Sequence, residues 1–365
     1  MVAQIYQQTR DIISGGSGFY MGPTGTGKTF AIRNEIEHVL NNTDEIAFVI
    51  SRHGEYDDLV EKHGGILIDL AKEPLNPLLI LDADKIKKED LGFLSNIKSG
   101  LVKLMVETKI NKLSALQKYL IEQVTSKMCF ECGNVDWNQY VLAFNKMIES
   151  YKEKNVAERL DEIKASLSGI ATDLNLTKLN TDSILMKETF LEELKAVADA
   201  VLELGSMANG TTQVSIGDSR LVVYDVKNLP KEEVDKYSLL AVEDVWTRLN
   251  GVNPIKHARL CIDDADNMFK EYDKYMSMLY KVARNQGLVI SSVIHDTDIF
   301  LSKKAVFRKI SSYYEIFKHS KNMIEVLTPI FSLSKEEADW LLDAPEGQKL
   351  VICAGKRFLI KAISK

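Results

Sequence analysis

One eight-residue segment near the start of the chain constrains the fold more than any other feature. It matches the pattern GxxxxGK[ST] and consists of Gly22, Pro23, Thr24, Gly25, Thr26, Gly27, Lys28 and Thr29. In a phosphate-binding loop of this kind, glycines let backbone N–H groups turn toward phosphate oxygens at the start of a helix, where anions are favoured. Such a loop operates between a strand and a helix, so the segment predicts a layered α/β fold.

The residues on both sides of this loop fit that context. Gly18–Met21 is a short apolar run typical of a strand, and residues 29–40 carry apolar side chains at helical spacing. Lys28 is predicted to neutralise the β- and γ-phosphates, and the Thr29 hydroxyl to bind magnesium. Phe30, the next residue, belongs to the predicted nucleotide-binding segment. The sequence therefore predicts a site for ATP and Mg²⁺.

Further apolar runs predict a mostly parallel sheet that is interrupted by a helical region. Strand-like runs occupy residues 46–50, 65–68, 220–225, 260–263 and 288–294, and a hairpin is predicted at 349–353 and 358–363. Helices are predicted at 232–249 and 268–284, and helical spacing continues through 101–124. We predict a RecA-like core from residues 1–85 and 206–365, flanked by helices, with an all-helical insertion at 86–205.

A P-loop needs a second acid at the end of a buried strand to hold the metal ion. Asp263 and Asp264 follow the apolar run 260–262, so Asp263 is predicted to hold magnesium through water and Asp264 to polarise the attacking water. Asp225 also ends a strand and is the rival metal-binding acid. An aspartate here could instead cap the following helix.

Four further residues are candidates for contacts to the terminal phosphate or to a neighbouring subunit. His295 ends the strand predicted beside the P-loop, where a polar side chain can contact the γ-phosphate. Arg284, and second to it Arg308, could stabilise transition-state charge in a neighbour's site. Glu55 could orient water or bind a neighbouring subunit, or could be a solvated loop acid.

Composition narrows the functional classes. The chain has 45% hydrophobic and 27% charged residues, and its formal net charge of −6 argues mildly against general nucleic-acid binding. Four cysteines are typical of a reducing compartment, and Cys129 and Cys132 form a single CxxC that we interpret as structural. Residues 1–11 do not resemble a signal peptide, and no apolar run is long enough to span a bilayer. A cytoplasmic location is therefore predicted.

The order of these motifs resembles the C-terminal motor domain of the VirB-four (TraC/TrbE-type) ATPases of conjugation and type IV secretion, in the FtsK/HerA branch of RecA-like motors. The resemblance covers essentially the whole chain. The segments that carry it are Gly18–Phe30, His53-Gly54-Glu55-Tyr56, Leu75-Asn76-Pro77-Leu78, Val222-Val223-Tyr224-Asp225-Val226, Ile262-Asp263-Asp264-Ala265 and Arg284-Asn285-Gln286-Gly287.

This resemblance implies an ATP-hydrolysing motor, working as a hexamer, that energises channel assembly or substrate passage at the cytoplasmic face of the cell membrane. Other components of the channel are the implied partners. Family members carry a membrane-proximal N-terminal domain, so the chain is expected to be a fragment or a motor-only homologue.

Two alternatives remain open. One is a DNA-pumping translocase, and the other is a nucleotide-binding scaffold with little hydrolysis. The scaffold is considered because the family usually has glutamate where this chain has Asp264 and glutamine where it has His295, and Asp-Pro-Glu where residues 51–53 lie.

Overall fold

The structure is a computed structural model of the 365-residue chain. It describes residues 16–73, 75–78, 88–107, 109–110, 112–132, 136–153, 183–205, 215–250, 254–300 and 306–360. The described residues form two compact units, one within 1–73 and 214–365 and the other within 74–213. The helical insertion was predicted to span residues 86–205, which lie within this second unit.

The first unit is built on one sheet, which contains nine strands among the described residues. Its strands are β1 Gly18–Met21, β2 Ile46–Ser51, β3 Ile66–Asp69, β4 Leu221–Asp225, β5 Ala258–Ile262, β6 Leu288–Ile294, β7 Tyr313–Ile316, β8 Lys349–Cys353 and β9 Lys356–Ile360. They lie in the order β3-β4-β2-β5-β6-β1-β7-β8-β9. The strands from β3 to β7 in this order are parallel, and β8 and β9 add antiparallel at one edge. The predicted mostly parallel sheet and C-terminal hairpin are confirmed.

The helices of the described residues have the following bounds. They are α1 Lys28–Asn42, α2 Asp57–His63, α3 Lys88–Glu107, α4 Ala115–Cys132, α5 Trp137–Glu153, α6 Ser183–Glu203, α7 Val234–Asn250, α8 Asp266–Glu271, α9 Asp273–Ala283, α10 Val306–Ile310, α11 Lys321–Phe331 and α12 Lys335–Asp343. No helix in the described ranges is long and apolar enough to cross a membrane.

The central strands are apolar along their whole length because both of their faces are covered. Every residue of β4 and β5 is buried, and so is every residue of β2 after the first. Continuous apolar runs of this kind are typical of parallel strands that are packed between helical layers. The core of this unit includes Ile32 and Ile36 of α1, which pack with Val49 and Val223.

The prediction of one helix over 268–284 is wrong. The structure has two helices here, α8 and α9, separated at Tyr272, whose φ of −115° and ψ of 33° leave the helical region. The Asp273 carboxylate accepts a hydrogen bond from the N–H of Lys274 at 2.8 Å. Local side-chain bonding of this kind favours a helix start over helix continuation.

Strand β7 was not predicted from the sequence, because its four residues include a charged one. Glu315 is buried and forms an ion pair with Lys349 of β8, so the charge is neutralised inside the sheet. A buried charge is tolerated when it is paired. The antiparallel pairing of β7 with β8 joins the hairpin to the parallel strands.

The second unit is helical, with no strand among its described residues. The helical spacing over 101–124 is divided between α3, which ends at Glu107, and α4, which begins at Ala115. Cys129 and Cys132 both lie on α4, and burial raises the pKa of the Cys129 thiol to about 11. Trp137 of α5 is fully buried and donates its indole N–H to the Val201 carbonyl of α6 at 2.9 Å.

Candidate nucleotide site

The GxxxxGK[ST] segment follows the carboxyl end of β1 and leads into α1, as predicted. Its backbone depends on glycine at two positions, because Gly25 and Gly27 have φ angles of 79° and 94°. These angles lie in the left-handed region, which a residue with a Cβ adopts at a cost of about 1–2 kcal/mol. The loop is fixed to the sheet by a hydrogen bond from the N–H of Gly22 to the Ile294 carbonyl at 3.3 Å.

The loop before β8 closes against the P-loop, a contact that the sequence did not indicate. A Cβ on Gly27 would lie 2.8 Å from the backbone nitrogen of Gly347. The N–H of Gly347 donates to the Thr26 carbonyl at 3.0 Å. Glycine is thus required at position 27 both for its φ angle and for the close approach of a second backbone.

The start of α1 is suited to an anion. Its N-cap is Gly27, which provides no side-chain cap, and its first turn contains no acidic residue. The N–H groups and the helix dipole therefore favour negative charge at this end. Thr29 lies in this first turn and is partly exposed, so its hydroxyl is accessible from outside.

Lys28 is buried at the centre of the site. Its Nζ donates to the Pro23 carbonyl at 2.8 Å and lies 3.2 Å from Nδ1 of His295. Burial lowers the pKa of Lys28 to about 8, and the charges of Asp263, Asp266 and Asp264 oppose that shift. These three carboxylates thus lie within electrostatic reach of the P-loop lysine.

Asp263 follows β5 and is almost completely buried. Its N–H donates to the Ile50 carbonyl of β2 at 3.1 Å, and its carboxylate accepts a hydrogen bond from the Tyr56 hydroxyl at 3.1 Å. Burial raises the pKa of Asp263 to about 6, and the bond from Tyr56 opposes that rise. The sequence did not indicate this hydrogen bond between Tyr56 and Asp263.

Asp264 has a different environment, although it is the next residue. Its φ angle is 50°, which is uncommon for a residue other than glycine. Its two carboxylate oxygens lie 3.9 Å from Nε2 of His53 and 3.9 Å from Nε2 of His295. Asp264 is therefore held between two imidazoles in a partly exposed position.

His295 follows β6, which lies next to the P-loop strand β1, as predicted. On its other side β6 pairs with β5. The N–H of His295 donates to the Asp266 carboxylate, with distances of 3.0 and 2.9 Å to the two oxygens. Burial, followed by the charge of Lys28, lowers the pKa of His295, so its neutral Nδ1 can accept a hydrogen bond from the lysine. Asp266 was missed from the sequence; ligand atoms of Asp264, Asp266 and His295 all lie within 4.8 Å of one another.

The rival acid Asp225 ends β4, which is separated from the P-loop strand by β2, β5 and β6. Its carboxylate pairs with Nζ of Lys227 at 2.9 Å, and it also accepts from the N–H of Lys227 at 2.9 Å. Asp225 is thus buried with its own cation. The position and the pairing both favour Asp263 as the metal-binding acid.

Glu55 and Phe30 lie at the outer side of the P-loop. Both are exposed, Phe30 by 59% of its surface. With Thr29 they line an open cavity of about 530 Å³, whose other lining residues are Arg33, Gly54, Asp57 and Asp58. Arg33 donates to the backbone carbonyl of Glu55 and not to its carboxylate.

Arg284 lies at the edge of the sheet opposite to the P-loop. It begins a short 3-10 helix, Arg284–Gln286, just before the amino end of β6, and it is exposed. The seven residues of β6 separate the two edges by about 20 Å, so Arg284 does not reach the P-loop of its own chain. Arg308 lies on α10 and donates to the Ile330 carbonyl at 3.2 Å.

A buried polar cluster, formed by Glu35, Arg259, Ser291, Tyr20 and Tyr313, joins the P-loop helix to the sheet. The Glu35 carboxylate of α1 accepts from Arg259 of β5, from Tyr20 of β1 and from the Ser291 hydroxyl of β6 at 2.7 Å. Tyr313 lies 3.5 Å from the same carboxylate. Since Asp263 directly follows β5, the cluster fixes the P-loop helix relative to the metal-binding acid.

The fold and the site define a P-loop nucleotide-binding domain of the RecA-like α/β class. The hydroxyl of Thr29 and the carboxylate of Asp263 are oxygen donors of the kind that Mg²⁺ prefers. The uncapped N-terminus of α1 and the buried Lys28 fit a polyphosphate.

Comparison with known proteins places the chain in a structural group. No protein-family model matches it, and no curated protein matches it by sequence. VirB4 of Thermoanaerobacter pseudethanolicus has a TM-score of 0.69 and 14% identity, over 96% of this chain and 90% of that one. The plasmid coupling protein TrwB, in complex with the ATP analogue ADPNP, has a TM-score of 0.57 and 12% identity, over 97% and 87% of the two chains.

TrwB in complex with ADP and Mg²⁺ has the same TM-score, at 13% identity. At these identities the likeness establishes the fold. The predicted resemblance to the VirB-four motor domain is therefore confirmed as a likeness of fold over nearly the whole chain.

Proposed function

We propose that this chain is an ATP-hydrolysing motor domain that energises assembly of a conjugation or type IV secretion channel, or transport of substrate through it. The observation that carries the proposal is the convergence of Lys28, Asp263, Asp264 and His295 at one edge of the parallel sheet. The fold likeness to VirB4 and to TrwB, a bacterial conjugative coupling protein, supports it.

Each residue of this set has a distinct role in the proposal. Lys28 and the N-terminal amides of α1 hold the phosphates of ATP, and Thr29 and Asp263 hold Mg²⁺, which neutralises phosphate charge when bound. Asp264 orients water, whose oxygen bonds to the γ-phosphorus while the bond from that phosphorus to the β–γ bridging oxygen breaks. The proton of the water passes through Asp264 to the released phosphate. His295, next to Lys28, responds to the presence of the γ-phosphate.

The position of Arg284 supports an assembly of several copies. Because this residue lies about 20 Å from its own P-loop, we assign it to the nucleotide site of a neighbouring copy, in a head-to-tail ring that we propose to be a hexamer. We expect Glu55, which is exposed beside Thr29, to face that neighbour or to orient water. We place the ring at the cytoplasmic face of the cell membrane, with other channel components as partners.

A DNA-pumping translocase is the second candidate, and the fold likeness to TrwB favours it. The net charge of −6 weighs against a general DNA-binding surface. The two candidates differ in one measurable property, because a translocase is stimulated by DNA and loses that stimulation as salt rises.

The experiment is steady-state phosphate release by the full chain across protein concentration, with and without double-stranded DNA. The proposal expects specific activity to rise with protein concentration and to be insensitive to DNA. Strong DNA stimulation would instead support the translocase. Tight ATP binding without turnover at any concentration would support a nucleotide-binding scaffold and overturn the motor.

A further inference from the structure

Arg52 is an arginine of this chain that lies at the carboxyl edge of the sheet. It follows β2, and β2 pairs in parallel with β5 so that Ile50 lies opposite Ile262. The N–H of Asp263 then donates to the Ile50 carbonyl at 3.1 Å. Arg52 and Asp264 each follow that last pair by two residues, at the carboxyl edge where the P-loop lies.

The Arg52 side chain is largely buried and is held by one partner. Its guanidinium forms an ion pair with Asp235, in the first turn of α7, and each side chain is only 12% exposed. An acid in the first turn of a helix is favoured by the helix dipole. In this structure the pair therefore holds the guanidinium near the rim of the site.

The same guanidinium is within electrostatic reach of the site's three carboxylates. Burial lowers the pKa of Arg52, and the charges of Asp264, Asp266 and Asp263 oppose that shift, in this order of size. Arg52 is thus bonded to Asp235 while it lies within electrostatic reach of the strand-end acids. A bound triphosphate carries more negative charge than the single carboxylate of Asp235, so the phosphate competes for the guanidinium.

We propose that Arg52 is a catalytic arginine supplied within the chain, which exchanges its ion pair with Asp235 for the γ-phosphate of bound ATP as charge develops in the transition state. An arginine of this kind places bidentate N–H donors on phosphate oxygens. The inference rests on the proposed hydrolysis at the P-loop. It adds a cation from the same chain to that expected from Arg284 of a neighbour.

A purely structural ion pair is the alternative, and the chain offers a similar but more exposed example. Arg357 of β9 pairs bidentately with Glu337, at 2.6 and 2.8 Å, and Glu337 lies in the first turn of α12 as Asp235 does in that of α7. No acid of the nucleotide site perturbs Glu337, whose pKa is lowered first by its bond from Arg357. Arg357→Ala therefore measures what loss of such a pair does by itself.

The test compares kcat, KM for ATP and thermal midpoint for Arg52→Ala, Arg52→Lys and Asp235→Asn in the full chain. We expect Arg52→Ala to lower kcat by about 100-fold or more with KM changed by less than about threefold, because one transition-state donor is lost. Arg52→Lys keeps the charge but not the fork, so it should restore only part of kcat. Asp235→Asn frees the guanidinium and should raise kcat, and Arg357→Ala should leave it unchanged.

The double variant Arg52→Ala/Asp235→Asn separates catalysis from packing, because it removes the arginine without leaving a buried carboxylate unpaired. Our proposal expects its kcat to stay as low as that of Arg52→Ala. Recovery of kcat in the double variant, or a parallel fall in kcat and thermal midpoint in Arg52→Ala and Asp235→Asn, would make the pair structural and overturn the proposal.

A binding measurement keeps this test distinct from that of the proposed function. Failure of wild type to hydrolyse ATP at all would contradict the proposed function. The arginine is then tested by affinity for ADP with aluminium fluoride, a mimic of the transferring phosphoryl group. We expect Arg52→Ala to lose at least about tenfold of that affinity and to keep its affinity for ADP. Equal affinity of wild type and Arg52→Ala for the mimic would overturn the role of Arg52.

Discussion

Removal of the Glu35 carboxylate tests how the P-loop helix is fixed to the sheet. Arg259 is only 1% exposed, and Glu35 neutralises its charge while accepting from Tyr20 and Ser291. In Glu35→Ala the guanidinium of Arg259 stays buried with its main counter-charge gone, while the Glu45 carboxylate lies 3.4 Å from its Nε. The hydroxyls of Tyr20, Ser291 and Tyr313 also lose this acceptor.

The expected cost follows from that loss. Breaking a buried ion pair by removing one partner costs about 3–5 kcal/mol. For a domain of this size, each kcal/mol lowers the thermal midpoint by about 2–4 °C, which gives a fall of about 6–20 °C. Glu37→Ala, two residues away on the same helix, removes an exposed pair with Lys62 and should cost no more than about 1 kcal/mol.

The assay is denaturant unfolding of both variants, followed by circular dichroism, with ATP affinity measured under native conditions. Glu35→Ala should also bind ATP more weakly, because α1 is no longer fixed relative to β5 and Asp263. A fall in unfolding free energy of less than about 1 kcal/mol, equal to that of Glu37→Ala, would refute the role assigned to the buried cluster.

Three further predictions concern the site. Affinity for MgATP should be highest between about pH 6 and about pH 8 in calorimetric titrations: protonation of Asp263 below its pKa of about 6 removes a metal ligand, and deprotonation of Lys28 above its pKa of about 8 removes the phosphate-binding charge. A flat profile would contradict both assignments. Gly27→Ala should abolish ATP binding, because its Cβ meets another backbone, whereas Gly25→Ala adds only about 1–2 kcal/mol of backbone strain; equal affinities would refute the close approach. Arg284→Ala should be inactive alone but regain turnover when mixed with Lys28→Ala, whose intact arginine serves the neighbour's P-loop; no rescue in an assembled mixture would contradict a role between subunits.

The sequence predicts the sheet and the P-loop well because their signals are local. Continuous apolar runs indicate β2 and β5. The GxxxxGK[ST] pattern indicates the loop in which Gly25 and Gly27 adopt positive φ angles. A strand with a buried charge is harder to recognise, so β7 was missed. The charge of Glu315 is neutralised by Lys349, which lies far from it in the sequence, so the sequence near Glu315 does not show that it can be buried.

The missed site residues have the same cause. Tyr56 and Asp266 act through contacts that the order of the strands creates, since β2, β5 and β6 bring their carboxyl ends together. Gly347 approaches the P-loop from a loop more than three hundred residues away. The sequence around each of these three residues does not indicate its contact. The fold brings each of them to the site, where it makes that contact.

The most direct test of the nucleotide site is the rate of phosphate release from ATP by wild type and by Lys28→Ala at the same protein concentration. Lys28 is buried, but its Nζ contacts only Pro23 and His295 in the hydrogen bonds that the described residues form, so the fold should survive its removal. We predict turnover by wild type and none by Lys28→Ala, with unchanged circular dichroism. Equal turnover by the two proteins would contradict the assignment of this loop as the site of hydrolysis.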